Sequence, residues 1–178
     1  MQHPAQSDAV TVVRPMRPDD LPEVLRLQAA AYAMAGFAPE SAAVFLDRIA
    51  VAPAYCLVAQ ARGHRLLGYL VSHPWHGDEP PKLDAVLRRL PACPALWYLH
   101  DCAIDEVARG LGIAGALYDC ALATAQRGGL RKGALVAVAG AASYWQRRGY
   151  RAEPHRAQPL TGYGPGACYM SRALHGAA

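Results

Sequence analysis

The sequence predicts a single domain of mixed α/β (α+β) class, with strands forming a sheet and helices flanking it. Three observations predict it. Short apolar, β-branched or aromatic runs alternate along the chain with repeats of helical period. Two consecutive strand-length runs are joined by Arg62-Gly63-His64, a hairpin signal. The stretch Trp97–Gly129 then reads as strand, glycine-rich turn and helix without interruption. At 178 residues the chain has the size of one domain. Its 53% hydrophobic and 18% charged residues fit a globular protein, although much of the hydrophobic share is alanine.

Residues 1–9 read as a flexible tail without the basic-then-apolar pattern of a signal peptide, leaving 10–178 as the domain. Val10–Arg14 is a β-branched strand punctuated by Pro15 and Pro18. A first helix starts at Asp19-Asp20, acidic residues suited to a first turn, and runs through Leu21, Val24, Leu25 and Gln28 to about Ala33. After Gly36 and Pro39, a short second helix carries Ala42, Phe45, Leu46 and Ile49 on its apolar face. Tyr55–Ala61 and Arg65–His73 form the hairpin, with Gly68 marking a bulge or a close approach. The run from His73 to Pro81 is irregular. Leu83, Val86, Leu87 and Leu90 then predict a short helix over Leu83–Leu90, closed by Pro91 and Pro94. Beyond the Trp97–Ile104 strand, the spacing of Ile113, Ala116, Leu117 and Cys120 predicts the buried face of a helix that stops at Gly128-Gly129. Ala134–Val138 is the next strand, and Ala141–Arg148 a helix capped by Gly149. Arg151–Pro159 is a strand end and loop, and Ala167–Leu174 the last strand.

The net charge of +4 is mild and its arginines are dispersed, which suits an anionic ligand and gives no reason to expect nucleic acid. Five cysteines, an odd number without C-x-x-C spacing, read as buried thiols of a reducing cytosol. No apolar run is long enough for a bilayer, so the expectation is a cytoplasmic protein with no membrane partner. His73-x-x-His76 has no third ligand at a telling spacing, and no metal is expected.

The turn Arg109-Gly110-Leu111-Gly112-Ile113-Ala114 sits where a new helix presents unpaired N–H groups and partial positive charge. Glycine lets backbone approach a ligand there, which makes the turn a phosphate cradle. Gly110, Gly112 and Gly115 also satisfy G-x-G-x-x-G, but the next strand ends in Ala139-Gly140-Ala141-Ala142 without the acidic residue a dinucleotide ribose requires. The turn instead resembles the coenzyme A pyrophosphate motif of the GNAT superfamily of N-acetyltransferases, with Arg109, Gly112 and Ala114 on its three defined positions. Cys102-Ala103-Ile104 stands where that family's fourth strand ends, and Tyr144-Trp145-Gln146-Arg147-Arg148-Gly149-Tyr150 resembles its helix ending in Gly-Phe/Tyr. The similarity in element order spans roughly Val10 to Leu174, and the specific motifs lie within Trp97–Tyr150.

The resemblance implies a mixed, mostly antiparallel sheet and acetyl-CoA as acetyl donor. It places the pyrophosphate on Arg109, Gly110, Leu111, Gly112, Ile113 and Ala114, and the pantetheine along Cys102, Ala103 and Ile104, between splayed fourth and fifth strands. A strand N–H there would stabilise the oxyanion formed when a neutral primary amine attacks the thioester. The family's usual proton donor to the thiolate is a Tyr, and this chain has Trp145 at that position, counted with the cofactor-binding residues. An indole N–H has no useful acidity. Tyr144 takes the role, water does, or the domain is a catalytically silent CoA-binding sensor or interaction module. His100 and Asp101 are the candidates for the base. As neighbours on a strand they are expected to face opposite sides, so that only one looks into the acceptor pocket. The Pro74–Pro94 segment is placed near that pocket. Trp75, Asp78 and Glu79 are either pocket or ordinary loop residues, and Ser143 is a cap or packing residue. Arg147-Arg148 reads as a solvated helix end, with one of the two a candidate for the CoA phosphates. The acceptor is a small-molecule or peptide amine, and a homodimer through the last strand is compatible with the sequence.

Overall fold

The apolar runs pair into one seven-stranded sheet in the order β1-β2-β3-β4-β5-β7-β6. The computed structural model describes residues 11–33, 38–77, 79–138, 140–153, 160 and 162–174; the tail through Ala9, the start of the first strand at Val10 and Asp78 lie outside them. The strands are β1 (Val12–Pro15), β2 (Cys56–Gln60), β3 (Leu66–Trp75), β4 (Leu96–Ile104), β5 (Lys132–Ala137), β6 (Arg151–Ala152) and β7 (Cys168–Ala173). Every pairing is antiparallel except β4 with β5. The sheet is therefore mixed and mostly antiparallel, as expected.

Helices cover both faces. On one side α1 (Leu21–Tyr32) and α2 (Ala42–Val51) bury Val24, Leu27 and Phe45 against Val58, Tyr69 and Val71. On the other, α3 (Ile113–Arg127) and α4 (Ala142–Arg147) pack on Leu57, Leu70, Trp97, Leu99 and Leu135. Arg14 of β1 ties the entry to α1 by two hydrogen bonds to Asp20, at 2.8 and 2.7 Å. No helix of the described residues is long and apolar enough to cross a membrane.

Several faces differ from the sequence pattern. The buried face of α3 is Ile113, Leu117, Tyr118, Ala121 and Ala125, whereas Ala116 and Cys120 are exposed. Tyr118 sets that rotation, because its ring is needed among Trp97, Trp145 and Tyr150, at centroid distances of 5.5, 6.0 and 6.4 Å. In α2 the deepest group is Arg48, with none of its side chain exposed, while Leu46 faces solvent. The cysteines are all free, but only Cys56 is buried; Cys93 and Cys120 are exposed. Gly68 does mark a close approach: a Cβ there would stand 2.6 Å from Ile104 Cδ1 and 2.9 Å from the Ala103 carbonyl. A register shift in the β2–β3 ladder lies beside it.

No helix forms over Leu83–Leu90. The apolar period is present, but side chains flanking and within α2 satisfy the segment's backbone in place of a helical ladder. Asp47 accepts from the N–H groups of Leu87 (2.7 Å) and Arg88 (2.8 Å). Glu40 accepts from that of Asp84 (2.9 Å), and Arg48 donates to the Ala85 carbonyl (3.1 Å). Asp84 and Arg88 sit at φ 52° and 63°, which a right-handed helix excludes. Asp47 also pairs with buried Arg48 at 2.7 Å. Replacing Asp47 by Ala strands a buried guanidinium and releases the segment, and urea unfolding should show a loss of about 3–5 kcal/mol.

Candidate active site

β4 pairs with β3 from Leu96 to Ile104, but with β5 only at Trp97–Gly133, Tyr98–Ala134 and Leu99–Leu135. Past Leu99 the two parallel strands part. A cavity of about 350 Å³ occupies the gap, walled by Leu99–Ile104 on one side and Leu135, Val136 and Val138 on the other. The strand edges facing it have backbone groups that no neighbouring strand takes up.

A β-bulge shapes one end of the cavity. The register passes from Val71–Asp101 to Ser72–Leu99, leaving His100 as the extra residue. The bulge breaks the alternation of β4, so His100 and Asp101 lie on the same face, contrary to the simple strand expectation, and both line the cavity. His100 Nε2 is 2.6 Å from Glu40 Oε2, and its buried Nδ1 has no hydrogen-bond partner among the described residues. Asp101 accepts from Tyr32 Oη at 2.5 Å and Tyr69 Oη at 2.6 Å. Burial pushes the Asp101 carboxyl up, and these two hydrogen bonds offset only part of the rise. Burial also raises the Glu40 carboxyl, but the His100 contact and the Asp84 N–H outweigh it and the net shift is downward. Gln28, Leu83 and Tyr163 complete this end.

The other end of the gap reaches the turn before α3. Asp105 anchors it, binding Arg26 (3.2 Å), Arg65 (2.9 Å) and the Val107 N–H (3.2 Å). Gly110 and Gly112 hold φ of 80° and 77°, left-handed conformations that explain their identity. Ala116 N–H makes the first α-helical bond, to the Gly112 carbonyl, so the N–H groups of Ile113, Ala114 and Gly115 precede the ladder. A second cavity of about 310 Å³ lies over this turn and shares Ile104, Arg109, Ala114 and Tyr144 with the first. The turn combines exposed Arg109 with N–H groups that precede the helical ladder, which fits a pyrophosphate; the slot beyond it fits a thin arm.

The model of the acetyltransferase (GNAT) family matches residues 21–150. The chain belongs to this family. No curated protein matches the sequence. Among solved structures, the fold is similar to a GNAT family acetyltransferase from Brucella melitensis in complex with acetyl-CoA, at 20% identity and TM-score 0.60 over 96% of this chain and 92% of that one. It is also similar to the ribosomal-protein-S18-alanine N-acetyltransferase of Escherichia coli (16% identity, TM-score 0.66, 95% and 97% covered). A third is GphF, a GNAT-like decarboxylase in complex with isobutyryl-CoA (18% identity, TM-score 0.71, 92% and 100% covered).

Against that GNAT frame, Trp145 and Tyr144 divide the work of their helix. Trp145 is 8% exposed and packs into the core with Tyr118 and Tyr150, while also lining the first cavity. Tyr144 lines both cavities, and burial pushes its hydroxyl up while Arg148 opposes the rise. Cys102 is a slot residue whose thiol burial raises to about 12, which makes it inert. His73 is fully buried and neutral, its imidazole pushed down to about 3 by burial, with Trp75 and Tyr98 rings at 5.4 and 5.7 Å. Leu111 and Arg109 are exposed on the cradle's rim. Sequence reasoning missed Gln28, Tyr32, Glu40 and Tyr163, which are remote in the chain and carry no local motif.

The two cavity carboxylates Glu40 and Asp101 impose opposite pH dependences. Glu40, lowered, contributes stability that is present above pH 4.5 and lost as the pH falls through its folded value. Asp101, raised, contributes stability that is present below pH 3.8 and lost as the pH rises through its folded value. In urea titrations from about pH 3 to 7, the advantage of the native chain over Glu40→Gln should shrink toward acid. Its advantage over Asp101→Asn should shrink toward neutrality.

Proposed function

We propose that the protein transfers an acetyl group from acetyl-CoA to a primary amine, small-molecule or peptide, by direct attack within a ternary complex. One observation supports this: the gap opened where β4–β5 pairing ends joins the glycine-rich turn before α3 at one end to a carboxylate-bearing pocket at the other. In this reading Arg109 and the backbone of Gly110–Ala114 take the pyrophosphate, and the free edge of Cys102–Ile104 takes the pantetheine. Acetyl-CoA supplies an activated thioester carbonyl. Glu40 and Asp101 draw a cationic amine to the opposite end. A free alkyl amine has a pKa near ~10.4, so the ammonium must lose a proton before it attacks. His100 is the base, since Glu40 engages Nε2 and leaves Nδ1 as the nitrogen able to accept. Asp101, with both oxygens bonded to tyrosines, acts through its charge. As the amine nitrogen bonds to the acetyl carbon and the carbon–sulfur bond breaks, Tyr144 protonates the leaving thiolate. The packing of Trp145 in the core supports assigning that role to its neighbour; it equally suits a silent CoA-binding module, which would bind donor without turnover.

Calorimetric titration with acetyl-CoA, followed by thiol release against a panel of amines, tests the reading. Binding with amine-dependent thiol release is expected. Binding without release for any amine would favour the silent module, and no binding would overturn the donor assignment. Arg109→Glu should weaken acetyl-CoA binding more than about tenfold. Tyr144→Phe should lower turnover by about 10²-fold with donor affinity retained. An unchanged rate across pH would remove Tyr144 from the mechanism.

A further inference from the structure

Arg148 follows α4 and carries a charge that its surroundings do not neutralise. Its Nη2 lies 3.1 Å from where a Cβ on Gly115 would stand, directly on the first turn of α3. That turn is the positive end of the helix dipole, the wrong partner for a guanidinium. The carboxylate nearest to it is Asp119, 3.7 Å away with a side chain 74% exposed, and such a pair is weak. What holds the group is aromatic: it lies 4.7 Å from the ring centre of Tyr118 and 5.1 Å from that of Tyr144. Stacking fixes the flat faces of a guanidinium and leaves N–H donors along its edge. Arg172 fixes the backbone beneath it, donating to the Arg148 carbonyl at 2.6 Å. Arg148 also lines the same cavity as Gly110, Gly112 and Ala114. A cation is thus held in place, in an unfavourable field, beside a row of unladdered N–H groups. An anion seated between them satisfies both.

We infer that Arg148 is a phosphate ligand of the donor site, sharing phosphate oxygens of CoA with the first N–H groups of α3, and that Tyr118 and Tyr144 preorganise it. The inference rests on the CoA reading above and adds a ligand from outside the cradle turn. It is consistent with Gly115, where a Cβ would crowd the guanidinium.

The test compares CoA with pantetheine, which has the same arm and no phosphate, by titration of the full chain and its Arg148→Gln and Arg148→Lys variants. The native chain should bind CoA. Arg148→Gln should weaken CoA roughly 10- to 100-fold and leave pantetheine binding unchanged, with Arg148→Lys in between. CoA affinity within about twofold of native in Arg148→Gln would overturn the inference. So would an equal loss for CoA and pantetheine, which would mean that Arg148 only supports the packing of the slot. If the native chain fails to bind CoA, the donor assignment itself falls and this inference falls with it; if only the variant comparison fails, the donor assignment stands.

Discussion

β4 is bonded to β3 along its whole length but to β5 only as far as Leu99, and what the molecule can offer a ligand depends on that difference. A strand edge left without a neighbour is costly unless something takes up its N–H and C=O groups. Here the unpaired edge is rigid, because β3 holds it from the other side. Gly68 lets β3 come close enough to do so, with Ile104 and the Ala103 carbonyl filling the space of its missing side chain. The slot is therefore a gap in a firmly held sheet.

Charge is distributed along the slot in a consistent sense. Arg109, Arg148 and the start of α3 are at one end, and Glu40 and Asp101 at the other. Glu40 joins the elements around His100. It binds His100 of β4 and the Asp84 N–H of the long excursion, and its backbone faces the Gln28 amide of α1. The excursion is thereby fixed to the site through a network of side-chain-to-backbone hydrogen bonds from Glu40, Asp47 and Arg48. The β4 bulge completes the arrangement, since an unbroken strand would direct either the imidazole or the carboxylate to the α3 side.

The elements with strong local period were legible in the sequence: both hairpin strands, the strand–turn–helix unit and the Gly149 stop of α4. The cradle was legible too, because left-handed glycines before a helix are a local requirement. The Leu83–Leu90 helix was not to be had from period alone, since the carboxylates and guanidinium that claim its backbone come from residues some 40 positions earlier. Ala116 and Cys120 fitted the spacing of a buried face and are exposed, because the Tyr118 ring required a different rotation. The bulge at His100 left no mark in composition, as it is defined by register against β3.

The sequence by itself determined the class of the fold, the position of the glycine-rich turn before α3 and the family it belongs to, because each follows from residues adjacent in the chain whose backbone preferences are local. Only the tertiary structure decided that His100 and Asp101 share a face, that Trp145 packs mostly into the core and reaches only the first cavity while Tyr144 lines both, and that Glu40 and Arg148 stand at the two ends of the slot. Those outcomes depend on strand register, helix rotation and contacts between distant residues, which local preference does not encode.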